Sequence, residues 1–168
     1  MSIIVMMGVS GIGKTTIGRR LAEALGYGYA EGDSYHPVAN VEKMRSGTPL
    51  EDADRWPWLA AMAADIDRWL DDGTGMVLAC SALKRAYRDI LIGERSDVHL
   101  VQLTGEESLI RSRIESRRDH YMPPALLLSQ LATLEPPTED ERSIVVDVRS
   151  EPDVCVSAIC RSLNGTQR

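Results

Sequence analysis

The sequence predicts an α/β fold in three layers (α/β/α), with a five-stranded parallel sheet between two sets of helices. Two features carry that expectation. Five short apolar runs, over residues 3–7, 27–31, 76–80, 98–103 and 143–147, alternate with segments of helical period. A glycine-rich loop, Gly8 to Thr15, joins the first run to the first helical segment.

Taken in order, the chain opens on "MSIIVMMGVSG", whose apolar run is too short to span a membrane and lacks the basic flank of a signal peptide. It reads as a buried strand. Behind the glycine loop, Ile17, Leu21, Ala24 and Leu25 recur at helical spacing. The second run leads into "EGDSYHP", followed by a helix expected over 38–46. A longer helix over 56–70 places Leu59, Met62, Ala63, Ile66 and Leu70 on one stripe. Further helices are expected over 84–91, 106–117, 124–134 and 152–163, between and after the remaining strands. No repeat, linker or low-complexity stretch divides the chain, so residues 1–168 read as one domain. In an open parallel sheet, ligands bind beyond the carboxyl ends of the strands. Three of the segments found there are "GVSGIGKTT", "GDSYHP" and "SALKRAYRD".

Hydrophobic residues at 43% and charged residues at 26% fit a globular core rather than a disordered chain. The net charge of -6 argues against non-specific nucleic-acid binding, which needs a basic face. A local cluster of cations can still hold a small anion. Only three lysines stand among the 19 basic residues: Lys14, Lys43 and Lys84, in "GIGKTT", "NVEKM" and "SALKR". A coding preference for arginine explains their scarcity but not their placement. Cys80, Cys155 and Cys160 have no metal-ligand spacing and read as free thiols, which fits a reduced, cytoplasmic setting.

The segment Gly8-Val9-Ser10-Gly11-Ile12-Gly13-Lys14-Thr15 satisfies the G-x-x-x-x-G-K-[ST] spacing, after a strand and before a helix. Glycines let the backbone wrap closely around phosphate oxygens, and the helix N-terminus adds partial positive charge. Lys14 can reach terminal phosphates, and the Thr15 hydroxyl can ligate Mg2+. That pattern points to a nucleoside triphosphate and leaves the reaction open.

Asp33 follows the second strand. A carboxylate there suits a proton acceptor for an attacking hydroxyl or a holder of metal-bound water; capping a turn is an equal alternative from spacing alone. His36 is a candidate substrate contact or a solvated turn residue. Lys43 and Arg55 can grip an anionic acceptor or serve as surface charge. Ser81 stands at the end of the third strand, and Lys84 and Arg88, four apart, are expected on one helix face. Arg111, Arg113, Arg117 and Arg118 precede His120 and a double proline, an arrangement that suits either a solvated helix face or a flap closing over phosphates.

Together these segments resemble the gluconate kinases (gluconokinases), P-loop sugar-acid kinases related in fold to shikimate and adenylate kinases. The resemblance rests on "MGVSGIGKTTIGRRLA", "EGDSYHPVANVEKMRSGTPLEDADRWPWL", "CSALKRAYRDIL", "IESRRDHYMPPALLLSQLATLE" and "VVDV", in the family's order from about Ile3 to Val148. It implies a P-loop small-kinase fold with a helical lid over about 117–131. It implies that Gly8 to Thr16 (Gly8, Val9, Ser10, Gly11, Ile12, Gly13, Lys14, Thr15, Thr16), with Arg113 and Arg117, bind ATP and Mg2+. Lys14, Asp33 and Arg117 would be catalytic, with Thr15 on the metal and Asp33 reaching it through water. Asp33, His36, Lys43, Arg55, Ser81, Lys84, Arg88, His120 and Gln130 would meet gluconate. Dimers are common in the family, so a homodimer is expected, with no nucleic-acid or membrane partner. Two departures from the family pattern stand out: "Asp119-His120-Tyr121" where the family has Gly-His-Phe, and Ile92 where an arginine is usual. The resemblance implies ATP-dependent phosphorylation of D-gluconate to 6-phospho-D-gluconate. A related small kinase acting on shikimate, another sugar acid or a nucleoside monophosphate is the alternative, and a nucleotide-dependent switch a more distant one.

Overall fold

In the computed structural model, which describes residues 1–117 and 124–166, five parallel strands form one sheet. The strands are β1 (Ile3–Met7), β2 (Gly28–Glu31), β3 (Met76–Ala79), β4 (Val98–Thr104) and β5 (Ile144–Asp147). Their order is β2-β3-β1-β4-β5, so β1 lies at the centre and β2 and β5 form the edges. The helices are α1 (Lys14–Leu25), α2 (Val38–Arg45), α3 (Asp52–Asp71), α4 (Arg85–Leu91), α5 (Glu107–Glu115), α6 (Pro124–Thr133) and α7 (Pro152–Thr166). Two short 3-10 helices, Gly32–Tyr35 and Glu139–Glu141, complete the order.

The central strand explains the layering. Every residue of "IIVMM" is buried, as expected for a strand covered on both faces. Ile4 and Met6 enter one core with Ile17 and Leu21 of α1, Ile110 of α5, Leu127 of α6 and Ile159 of α7. Ile3, Val5 and Met7 enter the opposite core with Leu59, Met62 and Ile66 of α3 and Tyr87 and Leu91 of α4. The period of two along β1 therefore divides the helices into two layers. Among the described residues no buried side-chain polar atom lacks a partner, and no helix is long and apolar enough to cross a membrane. The three cysteines are free, Cys80 and Cys155 buried.

Element boundaries match the sequence reading to within three residues except at α3, which begins at Asp52 rather than near residue 56. Pro57 reads in sequence as a helix start, yet it sits inside the helix. The added turn is held by the Asp54 carboxylate, which accepts from the Glu51 N–H at 2.9 Å, and by acidic residues beside the helix N-terminus. That turn positions Asp52, Asp54 and Arg55. Arg118 and His120, expected in the lid, and with them Asp119 and Tyr121, lie outside the described residues.

Candidate active site

The loop after β1 enters α1 through Gly13, whose φ of 114° is left-handed and closed to most side chains. Gly11 (φ 82°) lies so close to α5 that a Cβ there would clash with Ile114. Val9 and Ile12 turn inward and are buried, anchoring the loop while leaving its backbone to face outward. Ser10, Gly11, Gly13, Lys14 and Thr15 then line a cavity of about 430 Å³ with Glu31, Asp33, Ile114 and Arg117. Thr16, on the first turn of α1, is exposed beside it.

Lys14 curls back over its own loop, donating to the carbonyls of Gly8 at 2.7 Å and Val9 at 3.0 Å. Burial pushes its pKa below the ordinary lysine value, against the opposing pull of Asp33, Cys80 and Glu31. The half-buried Lys14 thus lines the cavity while its ammonium is held by the backbone of its own loop. Thr15 donates its hydroxyl hydrogen to Glu31 at 3.0 Å, and Tyr29 donates to the same carboxylate oxygen at 2.6 Å. With its hydrogen engaged, the Thr15 oxygen keeps its lone pairs for a cation. Glu31 escaped the sequence reading because it looks like the end of a strand. The pairing of β2 with β3, Glu31 opposite Ala79, and of β3 with β1 brings it beside the loop.

Asp33 stands in the 3-10 helix Gly32–Tyr35, exposed at the cavity wall. Two aromatic contacts fix this short helix. Trp58 of α3 donates its indole N–H to the Gly32 carbonyl at 2.7 Å, and His36 stacks on the Trp58 ring with centroids 4.3 Å apart. His36 is half-buried rather than solvated, and burial pushes its pKa down from the usual histidine value. Its Nδ1 lies 3.3 Å from the Asn40 amide, which also donates to the Asp54 carbonyl at 2.9 Å.

Around this wall lies a network of paired charges. Lys43 bonds both oxygens of Asp54, at 3.1 and 2.9 Å. Asp52 gathers three donors: Arg55 at 3.3 Å, Lys84 at 3.4 Å and the Tyr87 hydroxyl at 2.5 Å. Hydrogen bonding from Tyr87 and the neighbouring cations hold the Asp52 carboxyl below its usual pKa. Arg55 and Lys84 also lie over the Tyr87 ring, and Trp56 meets that ring edge-on. Asp52, Asp54 and Tyr87 are the organising residues that the sequence reading passed over. The "EDADR" run was the visible signal for the two aspartates.

Three expected positions differ. Lys84 and Arg88 do not share a helix face: Lys84 is the extended N-cap residue of α4, and Arg88 is 1% exposed. Four of the five Arg88 N–H donors are taken up by Glu141 and by the carbonyls of Ala82 and Leu83, and the buried side chain does not line the cavity. Arg113 points to the Val148 carbonyl beyond β5 instead of into the cavity. Gln130 serves the donor loop: its oxygen accepts from the Ser10 N–H at 2.7 Å and its amide donates to the Ser10 hydroxyl at 2.9 Å. Ser81 joins the same loop through its carbonyl, which accepts from the Gly8 N–H at 3.3 Å.

Several known proteins have chains similar to this one. A family model described as an AAA domain matches residues 3–137. The chain is 47% identical over 158 residues to a gluconokinase of Gluconobacter oxydans, covering 94% of this chain and 89% of that protein. Among solved structures, a sugar kinase of Janibacter superposes with a TM-score of 0.91 at 42% identity, covering 98% of this chain and 95% of that one. A gluconokinase of Sinorhizobium meliloti gives 0.87 at 41% identity, covering 99% and 95%. By this similarity over nearly its whole length, the chain belongs to the gluconokinase family.

Proposed function

We propose that this protein transfers the γ-phosphoryl group of ATP to D-gluconate, giving 6-phospho-D-gluconate and ADP. The observation that carries the proposal is the shared cavity of Lys14, Thr15, Asp33 and Arg117, flanked by the Arg55–Lys84 network. The donor set fits a magnesium ion: a hydroxyl with free lone pairs and exposed carboxylates are hard oxygen ligands. Thr15 would hold the ion, with Asp33 reaching it through water and Glu31 orienting the Thr15 hydroxyl. When bound, Mg2+ shields the charge on the phosphate oxygens.

The loop N–H groups and Lys14 bind and orient the triphosphate. Asp33 receives the acceptor's hydroxyl proton on a carboxylate oxygen, or orients that hydroxyl in line with the phosphorus. Arg117 neutralises charge at the cavity mouth. Lys84 and Arg55 attract the gluconate carboxylate, and the polar ring of His36, Lys43 and Ser81 suits its hydroxyls. Catalysis is positioning and charge stabilisation. Residues 1–168 act as one kinase domain whose lid, about 117–131, excludes water as a competing acceptor. A homodimer in the cytoplasm is the expected working form; the free cysteines support a reducing setting.

An acceptor panel tests the reading. ADP release with Mg-ATP is followed in the presence of gluconate, shikimate or AMP. Gluconate is expected to stimulate release and the other two to leave it at background. Stimulation by shikimate or AMP without gluconate would make this a different small kinase, and ATP binding with no active acceptor would favour a switch.

A further inference from the structure

Arg88 is among the largest fully buried side chains of the described residues and does not line the cavity beside the phosphate loop, yet its contacts converge on the acceptor side. The loop that leaves β3 carries Ala82 at φ 45°, a left-handed conformation that a residue with a Cβ adopts at a cost. Each carbonyl of that loop is occupied. Ser81 accepts from the Gly8 N–H at 3.3 Å, and Ala82 from Arg88 at 3.0 Å. Leu83 accepts from Arg88 at 3.2 Å and from the Glu135 N–H at 2.8 Å. The other edge of the guanidinium grips both carboxylate oxygens of Glu141, whose side chain is 8% exposed. Lys84 comes next in the chain, with its ammonium at Asp52 beside Arg55 and Tyr87.

We infer that Arg88 is a positioning residue: held by Glu141, it fixes the left-handed Ser81–Leu83 loop and so sets Lys84 at a defined distance from the phosphate loop. The inference rests on Lys84 being an acceptor-site cation, as in the proposed function. Only a planar fork fits the role, since one guanidinium spans two carbonyls on one side and a bidentate carboxylate on the other. A lysine at 88 supplies the charge without the span. Because Ser81 also meets Gly8, the same loop ties the acceptor cation to the donor loop. The Glu135 and Glu141 contacts tie it in turn to the segment that follows α6.

The test compares Glu141→Gln and Arg88→Lys with the wild type, with Asp67→Asn as a control that breaks the Arg95–Asp67 pair elsewhere on α3. Glu141→Gln keeps the side-chain shape and one accepting oxygen, so it remains readable if the Arg88 variant does not fold. The expected result is a rise in KM for gluconate of about tenfold with KM for ATP changed less than about twofold, and faster amide exchange at residues 81–84. Asp67→Asn should leave both KM values and that exchange unchanged. Parallel rises in both KM values that track the loss of Tm, or unchanged exchange at 81–84, would overturn the inference. If the wild type fails to phosphorylate gluconate, the proposed function falls instead, and the exchange measurement alone decides the role of Arg88.

Discussion

Lys14→Met is expected to lower kcat by at least about 10²–10³-fold, the loss typical when a preorganised donor to developing charge is removed from a water-poor site. Its ammonium is already desolvated and bonded only to the Gly8 and Val9 carbonyls of its own loop. On binding, the ammonium can exchange those carbonyls for triphosphate oxygens with little reorganisation. Methionine preserves length and apolar stem but removes the charge, so the variant isolates electrostatics from packing. Burying an ammonium is costly, and the same substitution should therefore hold Tm or raise it. ADP release at saturating gluconate, with a thermal melt on the same sample, checks both. A kcat within about fivefold of wild type would remove Lys14 from charge stabilisation.

Asp33→Asn should reduce kcat by about 10²–10⁴-fold, the range for losing a positioned proton acceptor, while ATP affinity changes little. The side chain is exposed at the cavity wall, and no hydrogen bond from it holds the fold together among the described contacts. The 3-10 helix that carries it is secured elsewhere, by the Trp58 indole and the His36 stack. Asparagine therefore keeps the wall and loses only the base. Turnover measured beside ATP binding by titration separates the roles: equal losses in both would assign Asp33 to the nucleotide and its metal rather than to the acceptor.

How far the sequence carries is clear from particular elements. Strands β1 and β3 are legible because a parallel strand buried on both faces must be a continuous apolar run, and helices α1 and α7 because their buried positions recur at helical spacing. The phosphate loop is legible because its chemistry depends on backbone spacing, which a linear motif records directly. The acceptor side is less so, because its side chains are placed by partners far away in sequence. Arg88 and Lys84 look like helix neighbours. Lys84 is an extended N-cap, however, and Arg88 is drawn inward by Glu141, 53 positions on. Gln130 reaches Ser10 across 120 positions, and Glu31 reaches Thr15 through sheet register. Proline also misled at α3: Pro57 costs one intrahelical bond, and a first turn secured by Glu51 and Asp54 tolerates that loss.

The central claim is that the donor half and the acceptor half form one transfer site, with the triphosphate on the Lys14 loop and a gluconate hydroxyl at Asp33. The most direct measurement is 31P NMR of the protein with Mg-ATP and gluconate, followed through complete turnover. The expected result is loss of the γ-phosphate resonance with equal growth of ADP and of one phosphomonoester coupled to the methylene protons at carbon 6. Appearance of inorganic phosphate with ADP and no such ester would contradict it.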